Sequence, residues 1–320
     1  MRHARPRIYI CMDNLINKLS SRQQPYVRLN PLNDILFCKV MGEKGSEIQL
    51  LGFLNSVLGR KGNDKIASVD ILENKALSAD LIGDKSSILD LRAILQGGTR
   101  LNIEVQLRNK RNMNKRSLFY WSKEFSKNLK SGHDYSELPS VITINILNFE
   151  YLDTKNFHTV FHLHEDKEHS LILTDALEIH FLNMVKWRKT VNKSFKNDPL
   201  QRWLTWFDKS SPVELIEEVV RMDSAILEAE KRQAYLSADE DVIRAYEMRE
   251  MALSDQVSME NYAREQGHAE GFAEGKAEGI VEGKAEGRLE TARKLKALGV
   301  PIEKIAAATG LSRETIENLK

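Results

Sequence analysis

The hydrophobic positions of the first half of the chain change from a helical to a strand spacing. Apolar residues recur every three or four positions across 34–58, which predicts two helices with a break at 42–45. Short apolar runs predict strands at residues 67–73, 87–95 and 100–107. The last two runs flank Gly97 and Gly98, and this arrangement predicts a β-hairpin.

Helical and strand patterns alternate again in the next hundred residues. A helix is predicted at about 112–129, and the β-branched run VITINIL at 141–147 is typical of a buried strand. Residues 157–165 and 170–175 indicate a further strand pair. From Asp175 to about Leu253 the pattern favours helices, with core aromatic residues at Trp187, Trp203 and Trp206. This order of elements predicts an α/β core, in which helices pack against a mixed sheet.

The pattern changes abruptly at residue 264, where glycine begins to recur at every fourth position. The six glycines are Gly267, Gly271, Gly275, Gly279, Gly283 and Gly287. The segment 264–288 is either a helix or a semi-flexible linker, because glycine weakens a helix while a stripe of small residues lets two helices approach closely. A homodimer through this tail is one hypothesis.

Residues 289–320 indicate a small helical hairpin that resembles a helix-turn-helix. Gly310 is expected to make the turn of this hairpin, and Ser312 is expected to cap its second helix. In the helix-turn-helix interpretation, Arg313 and Thr315 could reach DNA. The alternative is a helical capping or dimerisation unit.

These changes divide the chain into five segments. Residues 1–27 are expected to be poorly ordered, 28–175 form the α/β core, and 176–263 form a helical extension. The tail at 264–288 and the hairpin at 289–320 follow.

Composition narrows the functional classes only slightly. The 320 residues carry a formal net charge of +1, which predicts no charged partner by itself. Two cysteines cannot build a disulfide framework, and no run approaches 18 apolar residues, so we expect a cytoplasmic protein without a membrane span. The chain has no P-loop and no Gly-x-Ser-x-Gly motif, which disfavours NTP hydrolysis and serine hydrolase chemistry.

Acidic side chains on the two strands of the predicted hairpin are the first candidates for chemistry. Glu104 and Gln106 point to one side of their strand, and pairing brings Asp90 level with Glu104. Two close carboxylates favour a cation between them, and hard oxygen ligands suit Mg²⁺. The alternative is a solvated acidic face, or pairing with Arg92 and Arg108.

The helix after the hairpin is strongly basic. Residues 108–130 hold eight basic side chains and one acidic side chain, Glu124. Helical spacing places an apolar stripe at Leu118, Trp121, Phe125 and Leu129, with basic residues on the opposite side. This side is either a solvated face or a track for a phosphate backbone. The candidate nucleic-acid contacts are Arg108, Lys115, Arg116, Lys123, Lys127 and Lys130.

A group of histidines raises a second metal hypothesis. His162 and His164 share a strand face, with His158 and His169 nearby, but no third ligand has the spacing of a zinc site. Unrelated histidines on a partly exposed strand are therefore the favoured interpretation. Cys38 lacks a neighbouring histidine and is interpreted as a core thiol.

These motifs together resemble one family of bacterial proteins. Asn33-Asp-Ile-Leu-Phe37, Ser87-Ile-Leu-Asp-Leu-Arg92 and Ile103-Glu-Val-Gln106 resemble the opening helix and catalytic strands of the recombination-promoting, transposase-like nucleases, within the PD-(D/E)XK nuclease superfamily. The resemblance continues through Arg116-Ser-Leu-Phe-Tyr120, Val141–Ile146 and Leu173-Thr-Asp175 to the Gly-Glu tail, nearly the whole chain.

The resemblance implies a restriction-endonuclease-like core and a metal-dependent DNA endonuclease that promotes recombination. It implies that Asp90 and Glu104 bind a divalent cation, Mg²⁺ or another ion such as Mn²⁺ or Ca²⁺, while Asp34 adds an acidic group. Gln106 occupies the place of the superfamily lysine, and Lys85 is our candidate for the missing cation. Cys38 also departs from the pattern, since a lysine is common at its position. The alternatives are a catalytically silent DNA-binding or assembly protein and an RNA-directed nuclease.

Overall fold

The structure is a computed structural model that describes residues 28–72, 90–127 and 134–319. The candidate residues Lys85 and Lys130, and the N-terminal segment 1–27, lie outside these ranges. Internal contacts divide the chain into two units, Met1–Ala252 and Leu253–Lys320.

A mixed six-stranded sheet forms the centre of the first unit, in the order β1-β2-β3-β4-β6-β5. Strands β3 and β4 are parallel, as are β4 and β6, whereas the other neighbours are antiparallel. The strands are β1 Val69–Leu72, β2 Leu91–Leu95, β3 Arg100–Gln106, β4 Val141–Leu147, β5 His158–His164 and β6 Ile172–Asn183. The predicted α/β class with a mixed sheet flanked by helices is confirmed.

Ten α-helices lie within the described residues. They are α1 Asp34–Met41, α2 Glu47–Val57, α3 Met113–Ser126, α4 Met184–Lys189, α5 Pro199–Phe207, α6 Val213–Met222, α7 Ser224–Leu236, α8 Glu240–Ala297, α9 Ile302–Thr309 and α10 Arg313–Asn318.

Local signals explain where the first elements begin and end. The side chain of Asn33 caps α1 by accepting hydrogen bonds from the backbone N–H groups of Ile35 and Leu36. The predicted break between α1 and α2 is present. In the hairpin, Gly97 and Gly98 both have φ +87°, a conformation that side chains other than glycine rarely adopt. The predicted turn between β2 and β3 is therefore confirmed.

The two faces of the sheet differ in polarity. Alternate residues of β2, β3 and β4, such as Ala93, Ile103 and Ile144, pack into a large apolar core with α1, α2 and the aromatic residues of α4 and α5. All three predicted core tryptophans, Trp187, Trp203 and Trp206, are buried there. The opposite face, under α3, carries Asn102, Glu104, Thr143 and Asn145, all buried polar residues.

The polarity of this second face changes which side of α3 is buried. Leu118 of the predicted apolar stripe is 50% exposed, and the helix instead buries Met113, Ser117 and Glu124. Trp121 does pack towards the sheet, where its Nε1 donates to the carbonyl of Ala176. The predicted stripe was therefore wrong in part, because buried polar groups of the sheet need polar partners on the helix.

The helical pattern expected from Asp175 is wrong for its first nine residues. Residues 177–183 belong to β6 and pair in parallel with all of β4. A strand inside a sheet is buried on both faces, so its last residues lack a polar-apolar alternation and resemble a buried helix in sequence. The core boundary drawn at residue 175 thus falls inside a strand.

The second unit consists of the later part of α8 and the hairpin of α9 and α10. Helix α8 continues without interruption through all six periodic glycines, so this segment is helical. Ile305 and Ile316 are buried against Ala292, Gly310 has φ +71°, and the hydroxyl of Ser312 accepts from the N–H of Thr315. The predicted turn and cap are confirmed, whereas pairing of the tail and DNA contacts by Arg313 and Thr315 stay predictions.

Within the described ranges, no helix has both the length and the apolar character that a membrane span requires.

His158 of β5 contacts a histidine of β6. His158 Nε2 lies 2.9 Å from His180 Nδ1, and His180 Nε2 lies 2.7 Å from a carboxylate oxygen of Glu178. Among the described residues, no group of three or more His, Cys, Asp or Glu side chains is arranged to hold a metal ion. Burial, followed by the neighbouring His180, lowers the pKa of His158 to about 4.

Glycine substitutions in two helices should have opposite effects on stability. A Cβ on Gly52 of α2 would lie 2.3 Å from the Cβ of Ala225, so Gly52→Ala should lower the free energy of unfolding by about 1–3 kcal/mol through overpacking. Nothing lies within 4 Å of a Cβ on Gly279, so Gly279→Ala should stabilise α8 by about 1 kcal/mol. Thermal unfolding followed by circular dichroism measures both. A stabilised Gly52→Ala variant would contradict the close packing of α2 on α7.

The half-buried His158 should make the protein less stable in acid. Its folded pKa lies below the usual value of 6.5, so the unfolded state binds more protons. Its contribution to stability is therefore complete above about pH 6.5 and is lost as the pH falls towards 4. Between pH 7 and pH 4.5, urea denaturation should show wild type losing up to about 2 kcal/mol more than His158→Gln. Equal losses in both proteins would show that His158 is not buried as a neutral group.

Candidate active site

The hairpin register brings Asp90 and Glu104 together. Leu91, the first residue of β2, pairs with Ile103 of β3. Asp90 immediately precedes β2, outside the strand in which the sequence predicted it, and the same register places it across from Glu104. Both side chains are on the polar face of the sheet, under the N-terminal half of α3. The proximity expected from sequence is therefore present, and the chemical roles of the two residues stay predictions.

The surroundings raise the pKa of both carboxyl groups. Burial, and then the charge of Glu104, raise the pKa of Asp90 to about 8, while Arg116, Arg92 and Lys123 oppose the shift. Burial also raises the pKa of Glu104, against hydrogen bonds from Arg116 and Gln106. Two neighbouring carboxylates whose charged forms are disfavoured are a setting in which a bound cation is stabilising.

The two oxygens of Glu104 have different surroundings. Its Oε1 accepts hydrogen bonds from Gln106 Nε2 at 2.7 Å and from Arg116 Nε at 2.6 Å, and it forms an ion pair with Arg116 Nη2. Its Oε2 is buried and accepts no hydrogen bond from the residues that the structure describes. A buried oxygen in this condition is costly unless another ligand satisfies it.

Arg116 is the residue whose position differs most from the expectation. Helical spacing predicts that it faces outward on the basic side of α3, but its side chain is 13% exposed and contacts Glu104. Its guanidinium also lies over the ring of Tyr120, 5.1 Å from the centroid. The rotation of α3 that buries Ser117 and Glu124 turns Arg116 towards the sheet, so the expected outward orientation is wrong, while its assignment as a nucleic-acid contact stays a prediction.

A buried hydrogen-bond chain holds α3 in this orientation. The hydroxyl of Ser117 donates to Asn145 Oδ1 at 3.1 Å, and Asn145 Nδ2 donates to the carbonyl of His180. Asn145 stands directly beside Glu104 in the register of β3 and β4. Sequence reasoning missed this residue, although an amide in the otherwise apolar strand VITINIL is a signal that could have identified it.

The other described basic residues near α3 differ in their partners and exposure. Arg92 pairs with Glu124 at 3.4 Å and Arg100 pairs with it at 3.5 Å. Among the described residues, the alternative of a direct bridge from Arg92 to the acidic pair is therefore not observed. Lys115 and Lys123 are exposed on α3, and Arg108 is half-buried beyond β3. The exposed Lys127 follows the last residue of α3, and its Nζ lies 3.7 Å from Glu124 Oε1. The exposed Lys110, which was not singled out from sequence, lowers the pKa of Glu104.

Asp34 forms an ion pair with an arginine that lies far from it in the sequence. Arg249 Nε lies 2.9 Å and 3.0 Å from the two carboxylate oxygens of Asp34, and Arg249 Nη2 adds a further contact. Burial and the charges of Asp34 and Asp90 raise the pKa of the Cys38 thiol, so all three groups lie in one region. Cys38 is buried as predicted, while a catalytic role for Asp34 stays a prediction.

The donor set fits a hard divalent cation. Mg²⁺ commonly takes one or two protein carboxylates and completes its shell with water and phosphate oxygens. Asp90 and Glu104 supply two carboxylates, and the unsatisfied Glu104 Oε2 supplies an oxygen that such an ion would engage.

Comparison with known proteins gives one family. The family described as PD-(D/E)XK nuclease family transposase matches residues 31–263, which include every described element of the sheet and the site. Comparisons with curated proteins and with solved structures gave no match.

Proposed function

Because the chain belongs to the PD-(D/E)XK nuclease family transposases, we propose that it is a DNA endonuclease. It would hydrolyse phosphodiester bonds with the help of a divalent cation, of which Mg²⁺ is the first candidate. The observation that carries the proposal is the pairing of half-buried Asp90 with buried Glu104, in which Glu104 Oε2 lacks a hydrogen bond from the described residues. The family supports a nuclease role, and this pair supplies the donors that the metal requires.

Each residue of the site has a defined task in this reaction. Asp90 and Glu104 Oε2 would hold the cation, and Gln106 and Arg116 fix Glu104 through Oε1. When bound, a divalent cation polarises a phosphodiester and lowers the pKa of an attacking water. Because burial raises the pKa of Asp90 to about 8, this carboxyl must lose its proton before it can act as a ligand near neutral pH.

The exposed lysines of α3 support a nucleic acid as substrate. Lys115 and Lys123 are exposed on the helix that crosses the site, and the exposed Lys127 follows its last residue. Lys123 is close enough to Asp90 to lower its pKa. Such a row of ammonium groups can neutralise phosphates without reading bases. We therefore propose that α3 follows the DNA backbone and presents one phosphodiester to Asp90 and Glu104.

A role in DNA rearrangement follows from the same proposal. The matched family is described as transposases, and the sequence motifs resemble recombination-promoting nucleases. Strand breaks made by Asp90 and Glu104 would then serve recombination. Counting recombinants in cells that express wild type or Asp90→Asn tests this step, and equal counts would restrict the proposal to DNA cleavage.

Substitution of either carboxylate should abolish cutting. Asp90→Asn and Glu104→Gln preserve the side-chain shape but remove an anionic ligand, so nicking of supercoiled plasmid in Mg²⁺ should slow by at least about 100-fold. The exposed Asp153 provides the matched control, and Asp153→Asn should cut at the wild-type rate.

The outcomes separate the alternatives. If wild type binds plasmid but gives no metal-dependent product, the chain is a silent DNA-binding or assembly protein. If RNA of equal length competes for the site and is cut faster than DNA, the substrate is RNA. Normal cutting by both carboxylate variants would place the chemistry elsewhere.

Removal of one lysine from α3 should reduce the salt dependence of DNA binding. Lys115→Gln should weaken binding equally for all sequences and reduce the slope of log K against log salt by about 0.9, the value for one phosphate contact. Fluorescence anisotropy in Ca²⁺, over a range of salt concentrations, measures the slope. Lys209→Gln, an exposed lysine on a loop after α5, is the control and should leave the slope unchanged. An unchanged slope for Lys115→Gln would contradict the proposal that α3 contacts the DNA backbone.

A further inference from the structure

One cationic side chain contacts Glu104 and lies close enough to Asp90 to act on its charge. The guanidinium of Arg116 contacts Glu104 directly, and its charge also interacts with Asp90. The side chain leaves α3 at a half-buried position, one turn before Tyr120, whose ring supports the guanidinium plane. Its neighbours Lys115 and Lys123 are exposed, so their ammonium groups stay in water.

The donors of Arg116 are only partly used. Its Nε and Nη2 groups donate to Glu104 Oε1 and to the hydroxyl of Tyr120. Its Nη1 group donates to none of the residues that the structure describes. Planar guanidinium groups bind phosphate oxygens through such paired N–H groups, and they stay charged at any pH at which the protein is folded.

The charge balance of the site indicates what Arg116 adds. Two carboxylates cancel the charge of one divalent cation and leave nothing for a phosphodiester that gains negative charge during attack. Gln106, which lies beside Glu104 on β3, is neutral and donates its amide to Oε1. Arg116 adds one positive charge at the same carboxylate, on a rigid helix and largely shielded from solvent.

We propose that Arg116 is the cationic catalytic residue of this site, which fixes Glu104 through Oε1 and offers its Nη1 group to an oxygen of the scissile phosphate. This inference rests on the proposed function. It assigns Arg116 to the chemical step and separates it from the exposed lysines, which contribute to DNA affinity.

Arg116→Gln removes the charge but keeps a donor for Glu104. Under single-turnover conditions, at saturating enzyme and Mg²⁺, its cleavage rate should fall by about 100-fold or more, as for the loss of one donor to a developing anion. Arg116→Lys should recover part of the rate because it keeps the charge. The exposed Arg221 on α6 gives the matched control, and Arg221→Gln should cut normally. A rate for Arg116→Gln within about threefold of wild type would overturn the proposal.

Metal binding without DNA separates catalysis from a purely structural role. Arg116 repels a divalent cation at Asp90 and Glu104, so Arg116→Gln should bind Mn²⁺ several-fold more tightly, as measured by electron paramagnetic resonance. Tighter Mn²⁺ binding together with slower cleavage supports the proposal. Weaker Mn²⁺ binding together with slower cleavage would overturn it, because the arginine would then serve only to keep the site folded.

Chemical rescue provides the final test. Methylguanidinium at millimolar concentration should restore cleavage by a folded Arg116→Ala variant at least tenfold, and it should not restore Asp90→Asn. Absence of rescue, with the native circular dichroism spectrum retained, would overturn the proposal. Failure of the proposed function is distinguishable, since wild type itself would then give no metal-dependent cleavage under the same conditions.

Discussion

The ion pair between Glu104 and Arg116 is the interaction on which the rest of the site depends. A carboxylate that is 1% exposed cannot keep its charge on the sheet without a partner, because burial removes it from water. The partner must come from the element that covers this face, which is α3. The rotation of α3 is consequently fixed by a charge as well as by packing, with Ser117 bonded to Asn145 and Glu124 paired with Arg92 and Arg100.

This polar side of the sheet can exist because the other side is strongly apolar. Helices α1, α2 and α5 pack their aromatic and aliphatic residues on the alternate positions of the same strands, so that Ile103 and Glu104 belong to opposite layers. The apolar layer supplies the stability, and the polar layer places carboxylates, an amide and a guanidinium where they influence one another. Functional groups on a rigid sheet keep their geometry without help from loops.

The interaction of Asp34 with Arg249 connects this arrangement to the chain beyond the sheet. Arg249 belongs to the first turns of α8, more than 200 positions away from Asp34 in sequence. Asn33, which caps α1, also donates to Glu250 on that helix. The opening helix is therefore held at its N-terminus by residues that follow the whole sheet and that belong, up to Ala252, to the same compact unit.

Sequence by itself determined the order of elements, the break between α1 and α2, the hairpin turn at Gly97 and Gly98, and the juxtaposition of Asp90 with Glu104, because these follow from local backbone preference and strand periodicity. It did not determine which side of α3 is buried, or that residues 177–183 continue strand β6. Both depend on neighbouring elements of the fold: α3 covers polar residues of β3 and β4, and the end of β6 pairs with β4. A helix that covers polar strands buries Ser117 and Glu124 in place of Leu118, and only that tertiary choice brings Arg116 to Glu104.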